Sequence, residues 1–235
     1  DVIQYVTIVS TGNTTDFGDT TEGARANAGA SNSVRGLRAG GHIAPANTNV
    51  IDYITMATTG NATDFGDRTA TVNSVGGLAS STRAIFGGGS PNSNILDYVT
   101  INTTGDAIDF GDLTAVKNSP AGSNSFTRGL FSGGQPVSPI DSIQIASLGN
   151  ATDFGDLATG RAYLGSTDNS IRSITYAGSE TATDANKRNE IEYVQIASAG
   201  NAVDFGDASV TRGATQATIS NGHGGLDVFD PTTRV

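Results

Sequence analysis

The chain has 235 residues, 31 of them Gly, with no Cys, no Trp and a formal net charge of −10. Lack of Cys excludes disulfides, thiolate metal sites and Cys nucleophiles, and an acidic chain with only two lysines, Lys117 and Lys187, has no basic cluster with which to neutralise phosphates, which argues against nucleic acid and anionic lipid as partners. No apolar run approaches a membrane span, and an apolar content of 36% that is patterned rather than scattered, with Gly at roughly twice its usual share, reads as turn-rich all-β composition rather than disorder.

Taken in order, the chain repeats one phrase five times, starting near Ile3, Ile51, Leu96, Ile140 and Ile191. Aligned on the aromatic of Asp-Phe-Gly-Asp, Phe17, Phe65, Phe110, Phe154 and Phe205 coincide. Twelve residues earlier stand Tyr5, Tyr53, Tyr98, Ser142 and Tyr193, and eighteen later Arg35, Arg83, Arg128, Arg172 and His223. A frame without insertions or deletions predicts paired strands, because a one-residue slip would turn every side chain to the wrong face.

The copy over residues 50–89 shows the elements best. Ile51–Met56 alternates like a strand and is rich in β-formers. Thr58-Thr59-Gly60-Asn61 is a turn. Ala62–Phe65 is a short second strand, ended by Gly66-Asp67. Thr69–Leu78 is a looser third strand of small residues, as are Ala24–Ala30 and Ser119–Asn124, and Arg83–Phe86 is a fourth. Four short strands per copy, five times over, predict an all-β chain forming a single five-bladed β-propeller domain over residues 1–235, with four antiparallel strands per blade. Small-residue strands suit the crowded centre, and the Phe and Tyr rings are expected to fill the space between blades.

Two copies depart from the frame. The fourth has Ser142 for Tyr and Tyr176-Ala177-Gly178 for the double glycine, and the fifth has His223 for Arg. The chain begins on the Tyr and Phe strands of a repeat and its last residues follow the two preceding strands. Residues 2–8 are therefore expected to pair with 224–230, so that both termini share one blade and no sheet edge is left open. Asp1 in place of Met reads as a processed or partial product.

The order of apolar strand, double glycine, variable loop, Tyr strand, turn, aromatic and small-residue strand resembles kelch repeats. Ile85-Phe86-Gly87-Gly88 and Leu130-Phe131-Ser132-Gly133-Gly134 match the double-glycine strand, Tyr53 and Tyr98 the kelch Tyr, and Lys117, Arg161 and Arg212 fall near the basic position. Phe65 and Phe110 stand where kelch usually has Trp. The wording Thr-Gly-Asn-Ala-Thr-Asp-Phe-Gly-Asp is similar to kelch-like repeats in virion and tail-associated proteins of marine tailed phages. That resemblance implies a non-enzymatic structural protein, virion-borne or extracellular, with other tail proteins or a host-surface glycan as partners.

Length varies only between the Arg and Tyr positions, at 18, 15, 14 and 21 residues. Loops that vary on a rigid scaffold are where recognition is built. The candidate contacts are His42 and Asn47, Asn92 and Asn94, Gln135, and Asp184, Lys187 and Arg188. The Asp pairs of the repeat (Asp64 and Asp67 in the second copy) offer too few carboxylates for calcium and read as turn caps. Their expected partners are the recurring Arg35, Arg83, Arg128 and Arg172. Asn13, Asn61, Asn102 and Asn150 lie in Asn-x-Thr sequons that turn chemistry explains. No nucleophile elbow or kinase loop set accompanies the Asp-Phe-Gly phrase, and no catalytic residue, metal site or cofactor is expected. A carbohydrate-binding lectin is the alternative, and a propeller hydrolase or lyase a weaker one.

Overall fold

The computed structural model describes residues 1–134, 137–180 and 186–213. Every described strand pairs antiparallel, and the strands form five sheets. The first sheet holds β1 (Val2–Tyr5) and β2 (Thr15–Asp19). The second holds β3 (Ala28–Ser31), β4 (Arg35–Ile43), β5 (Ala46–Thr55) and β6 (Thr63–Asp67). The third holds β7 (Gly76–Ala79), β8 (Arg83–Gly87), β9 (Ser93–Thr100) and β10 (Ile108–Lys117). The fourth holds β11 (Ala121–Asn124), β12 (Arg128–Ser132), β13 (Pro139–Gln144) and β14 (Thr152–Asp156). The fifth holds β15 (Gly165–Asp168), β16 (Arg172–Tyr176), β17 (Arg188–Gln195) and β18 (Val203–Arg212). Within the four complete sheets, neighbours in sequence are neighbours in space. A sheet therefore begins on the small-residue strand and ends on the Phe strand. The repeated phrase, from its Tyr strand through Asp-Phe-Gly-Asp, lies within one sheet, and the frame from Tyr to the recurring Arg straddles two.

Two boundaries differ from expectation. The small-residue strands are only four residues long, because Ala26, Ser74, Ser119 and Tyr163, each two residues before such a strand, stand at positive φ and bend the chain there. The Phe strand does not stop at the glycine of Asp-Phe-Gly-Asp but runs through it. In all five sheets the Phe is an extra residue in the ladder. Ile51 faces Gly66 and Asp52 faces Asp64, so Phe65 is skipped, and Phe17, Phe110, Phe154 and Phe205 are skipped likewise. A bulge of this kind re-aims one side chain.

Four of the re-aimed rings, Phe17, Phe65, Phe110 and Phe154, are buried where consecutive sheets meet, and Phe205 is exposed. One core cluster joins Leu37, Ile51 and Phe65 of the second sheet to Phe86, Val99 and Ile101 of the third. A second joins Leu78, Leu96 and Phe110 to Phe131, Ile143 and Ile145 of the fourth. A third joins Leu130, Ile140 and Phe154 to Val194 and Ile196 of the fifth. Each Tyr lies edge-on to the Phe of its own sheet, with ring centroids 5.7–6.1 Å apart.

The Thr-Gly-Asn and Asp-Phe-Gly-Asp halves of the phrase bind each other across sheets. Gly60 N–H donates to the Phe17 carbonyl (2.7 Å) and Ala62 N–H to that of Asp19 (2.7 Å), while Asn61 Oδ1 accepts from Asp19 N–H (3.1 Å). Gly105, Asp106 and Ala107 do the same to Phe65 and Asp67. Gly149, Asn150 and Ala151 clip onto Phe110 and Asp112, and Gly200, Asn201 and Ala202 onto Phe154 and Asp156. The receiving glycine has no alternative. At Gly66, φ is +141° and a Cβ would stand under 3.0 Å from the Gly105 carbonyl. Closure by pairing of 2–8 with 224–230, and the small-residue strand of the last repeat, lie outside the described residues.

Candidate recognition surface

The charged residues of the repeat are mostly spent on the scaffold. The acid before each Tyr position receives the next link between sheets. Asp52 accepts from Thr21 N–H (2.9 Å) and Oγ1 (2.7 Å) of the preceding repeat, Asp97 from Thr69 (3.0 and 2.8 Å) and Asp141 from Thr114 (3.1 and 2.6 Å). Glu192 accepts from Ala158 N–H (2.9 Å). Each acid also meets a base: Arg38–Asp52 (2.7 Å), Arg68–Asp97 (3.0 Å), Lys117–Asp141 (3.6 Å) and Arg161–Glu192. Arg68, Asp97, Lys117, Asp141 and Arg161 are buried to 2% exposure or less. Burial favours neutral Asp52, but the Arg38 fork and the Thr21 hydrogen bonds outweigh it and hold its carboxyl below the ordinary range. Burial pushes the Lys117 ammonium down against the pull of Asp141, and its Nζ also donates to the carbonyls of Phe131 and Pro139.

The recurring Arg does not pair with an Asp of Asp-Phe-Gly-Asp. Arg35 lies over Tyr53 at 4.5 Å, Arg83 over Tyr98 at 4.8 Å, Arg172 over Tyr193 at 4.6 Å and Arg128 over Phe154 at 5.8 Å. Arg35, Arg83 and Arg128 each donate through Nη1 to a carbonyl of the following sheet: Ile101, Ile145 and Ile196, all at 2.8 Å. The face of a half-buried ring holds the cation without asking for a carboxylate. Capping by Asp is seen where Asp109 and Asp204 accept from Gly111 and Gly206 N–H. Asn102, outside the repeated turn, accepts from Asn32.

The variable loops join the Arg and Tyr strands at one end of the sheets. His42 Nδ1 lies 2.9 Å from Asn47 Oδ1, which also accepts from Asn73 (2.7 Å), while Asn47 Nδ2 donates to the Ser90 carbonyl (3.0 Å). These half-buried residues stitch the second sheet to the third. Asn92 is exposed and Asn94 half-buried. Arg188 pairs with Glu180 and Glu190, and Lys187 is exposed beside Ser179. No hydrogen bond or ion pair among the described residues joins the His42 group to the Arg188 group. Gln135 and Asp184 lie outside the described residues.

The opposite end carries the turns before each recurring Arg, each capped by its first side chain. Asn32 Oδ1 accepts from Val34 and Arg35 N–H, Ser80 Oγ from Thr82 and Arg83, Ser125 Oγ from Thr127 and Arg128, and Asn169 Oδ1 from Ile171 and Arg172. The residue after the cap is Ser33, Ser81 and Ser170 in the first, second and fourth copies and Phe126 in the third. Phe126 is 49% exposed. It separates two hollows of about 290 and 490 Å³ lined by Ser81, Thr82, Thr127, Gln144 and Ser170. Sequence reading overlooked it; the signal was one aromatic in a column of serines.

Near this end Asp168 closes β15. Burial raises its carboxyl to about 6, against the opposing Asn124 N–H (2.9 Å). Among the described residues no group of three His, Cys, Asp or Glu is placed to hold a metal ion, and no helix is long and apolar enough to cross a membrane. In comparisons with known proteins, no family model matches the chain and no curated protein matches it.

Proposed function

We propose that the protein is a non-enzymatic, kelch-like five-bladed propeller, a closed ring of sheets that serves as a rigid platform in a phage particle or on its tail. It would make protein contacts or adhere to a host surface from the virion or an extracellular setting. The observation that carries the platform reading is that most of the repeated polar groups have a scaffold task. Arg, acid, Thr and the Gly-Asn turn all tie one sheet to the next, so what varies between copies is left for recognition. The phage setting rests on the likeness of the repeated phrase. Mass spectrometry of purified particles from a host culture tests it: the chain should be present in stoichiometric amount. Its absence from particles, with the chain in the culture fluid, would reject the setting.

A second reading, a carbohydrate-binding lectin, is favoured by Phe126. A single exposed ring among hydroxyl and amide side chains suits the apolar face and hydroxyls of a sugar. A glycan array should then show a signal that Phe126→Ser, the residue of three other copies, reduces about tenfold or more.

A further inference from the structure

Four junctions between consecutive sheets carry the Gly-Asn clip, and the chain holds both halves of a fifth that is not made in the described structure. One half is β18. Phe205 is 55% exposed, whereas Phe17, Phe65, Phe110 and Phe154 are 8% or less. Gly206 has φ +138°, in line with Gly18, Gly66, Gly111 and Gly155. Where those four face a carbonyl that leaves no room for a Cβ, Gly206 faces open space. The other half is Thr11-Gly12-Asn13-Thr14, which repeats the Thr59-Gly60-Asn61 wording, is exposed, and has nothing near Gly12. A third element agrees. Arg35, Arg83 and Arg128 reach the carbonyl three residues after the Tyr position of the following sheet. For Arg172 the corresponding carbonyl is that of Ile8, whose side chain is 91% exposed.

We propose that the β18 edge is a docking site for one segment, this chain's own Thr11–Thr14 turn. Gly12 N–H donates to the Phe205 carbonyl and Thr14 N–H to that of Asp207. Asn13 Oδ1 accepts from Asp207 N–H, and Arg172 donates to the Ile8 carbonyl. The first sheet then covers Phe205 as each later sheet covers the Phe before it. The inference rests on the closed ring of the preceding subsection and names the contact that closes it. A tethered turn reaches the edge at an effective concentration on the order of mM, well ahead of the same turn on a second copy. Gln4 stands where the other sheets have Asp52, Asp97, Asp141 or Glu192. The closing junction therefore lacks the buried ion pair and is where the ring should open first.

Amide hydrogen exchange on the full chain, read residue by residue by NMR, tests this. The amides of Gly12, Thr14 and Asp207 should exchange within about tenfold of Gly60, Ala62 and Asp19. Arg172→Ala should speed Gly12 and Thr14 at least about tenfold while leaving Gly105 and Ala107 unchanged. Light scattering should show a monomer at every concentration used. Free exchange at Gly12 and Thr14 beside a protected Gly60 would overturn the proposal. So would protection that appears only with dimer formation, which makes a second copy the occupant. Small-angle scattering separates the two failures: a closed ring with free Gly12 and Thr14 amides rejects the clip alone, and an open arc rejects the ring as well.

Discussion

Gly66 shows how much of the fold is held by single residues. Its positive φ and the carbonyl of Gly105 under 3.0 Å from any added Cβ leave the position to glycine. Gly66→Ala should cost roughly 3 kcal/mol and lower the melting temperature by about 6–12 °C, measured by circular dichroism. Gly23→Ala, where the space is open, should change it little. Asp168 predicts a pH effect. Its folded carboxyl is raised from an ordinary 3.8 to about 6. Between those values the folded chain holds the proton more tightly than the unfolded one, so this group's contribution to stability falls as pH rises through that window. Asp168→Asn keeps an acceptor for Asn124 N–H and does not titrate. Melting temperatures taken from pH 3.5 to 7 should show the variant gaining on the parent as pH rises through about 4 to 6.

At the scale of the strand, the same tyrosine column was legible and its neighbour was not. Alternation in Ile51–Met56 placed the Tyr strand, and its side-chain partners follow from strand geometry. The acid just before each Tyr was invisible as a site, because its base comes from three different places in the frame: Arg38 in β4, Arg68 just after the Phe strand, and Lys117 and Arg161 seven residues after their Phe. Only packing brings them together. The pair Arg68–Asp97 is fully buried, and Asp97 also takes both Thr69 donors. Asp97→Ala strands an unpaired guanidinium in the core and should cost about 3–5 kcal/mol in urea unfolding. Asp64→Ala, on the exposed rim, should fall within about 0.5 kcal/mol of the parent. The recurring Arg was expected beside an Asp, and its cation instead sits on an aromatic ring and a carbonyl of the next sheet. Charge complementarity suggested one partner; the bulge at Phe, which brings the next sheet close, supplied another.

On the scale of the whole chain, the recognition residues divide between two ends of the sheets. His42 and Asn47 serve a junction, while Asn92 and Lys187 stay exposed at the loop end. Phe126 stands at the other end. A repeat protein should unfold from its weakest junction, which puts the early loss of structure in β1, β2 and β18. The sequence by itself determined the strands, their count per sheet and the constancy of the frame, because alternation and turn residues act over a few positions and repeat with the chain. Tertiary structure alone decided that the glycine of Asp-Phe-Gly-Asp receives a carbonyl from the next repeat, and which base meets which acid. Those contacts join residues 14–46 positions apart, and no local pattern encodes the approach of two segments at that separation.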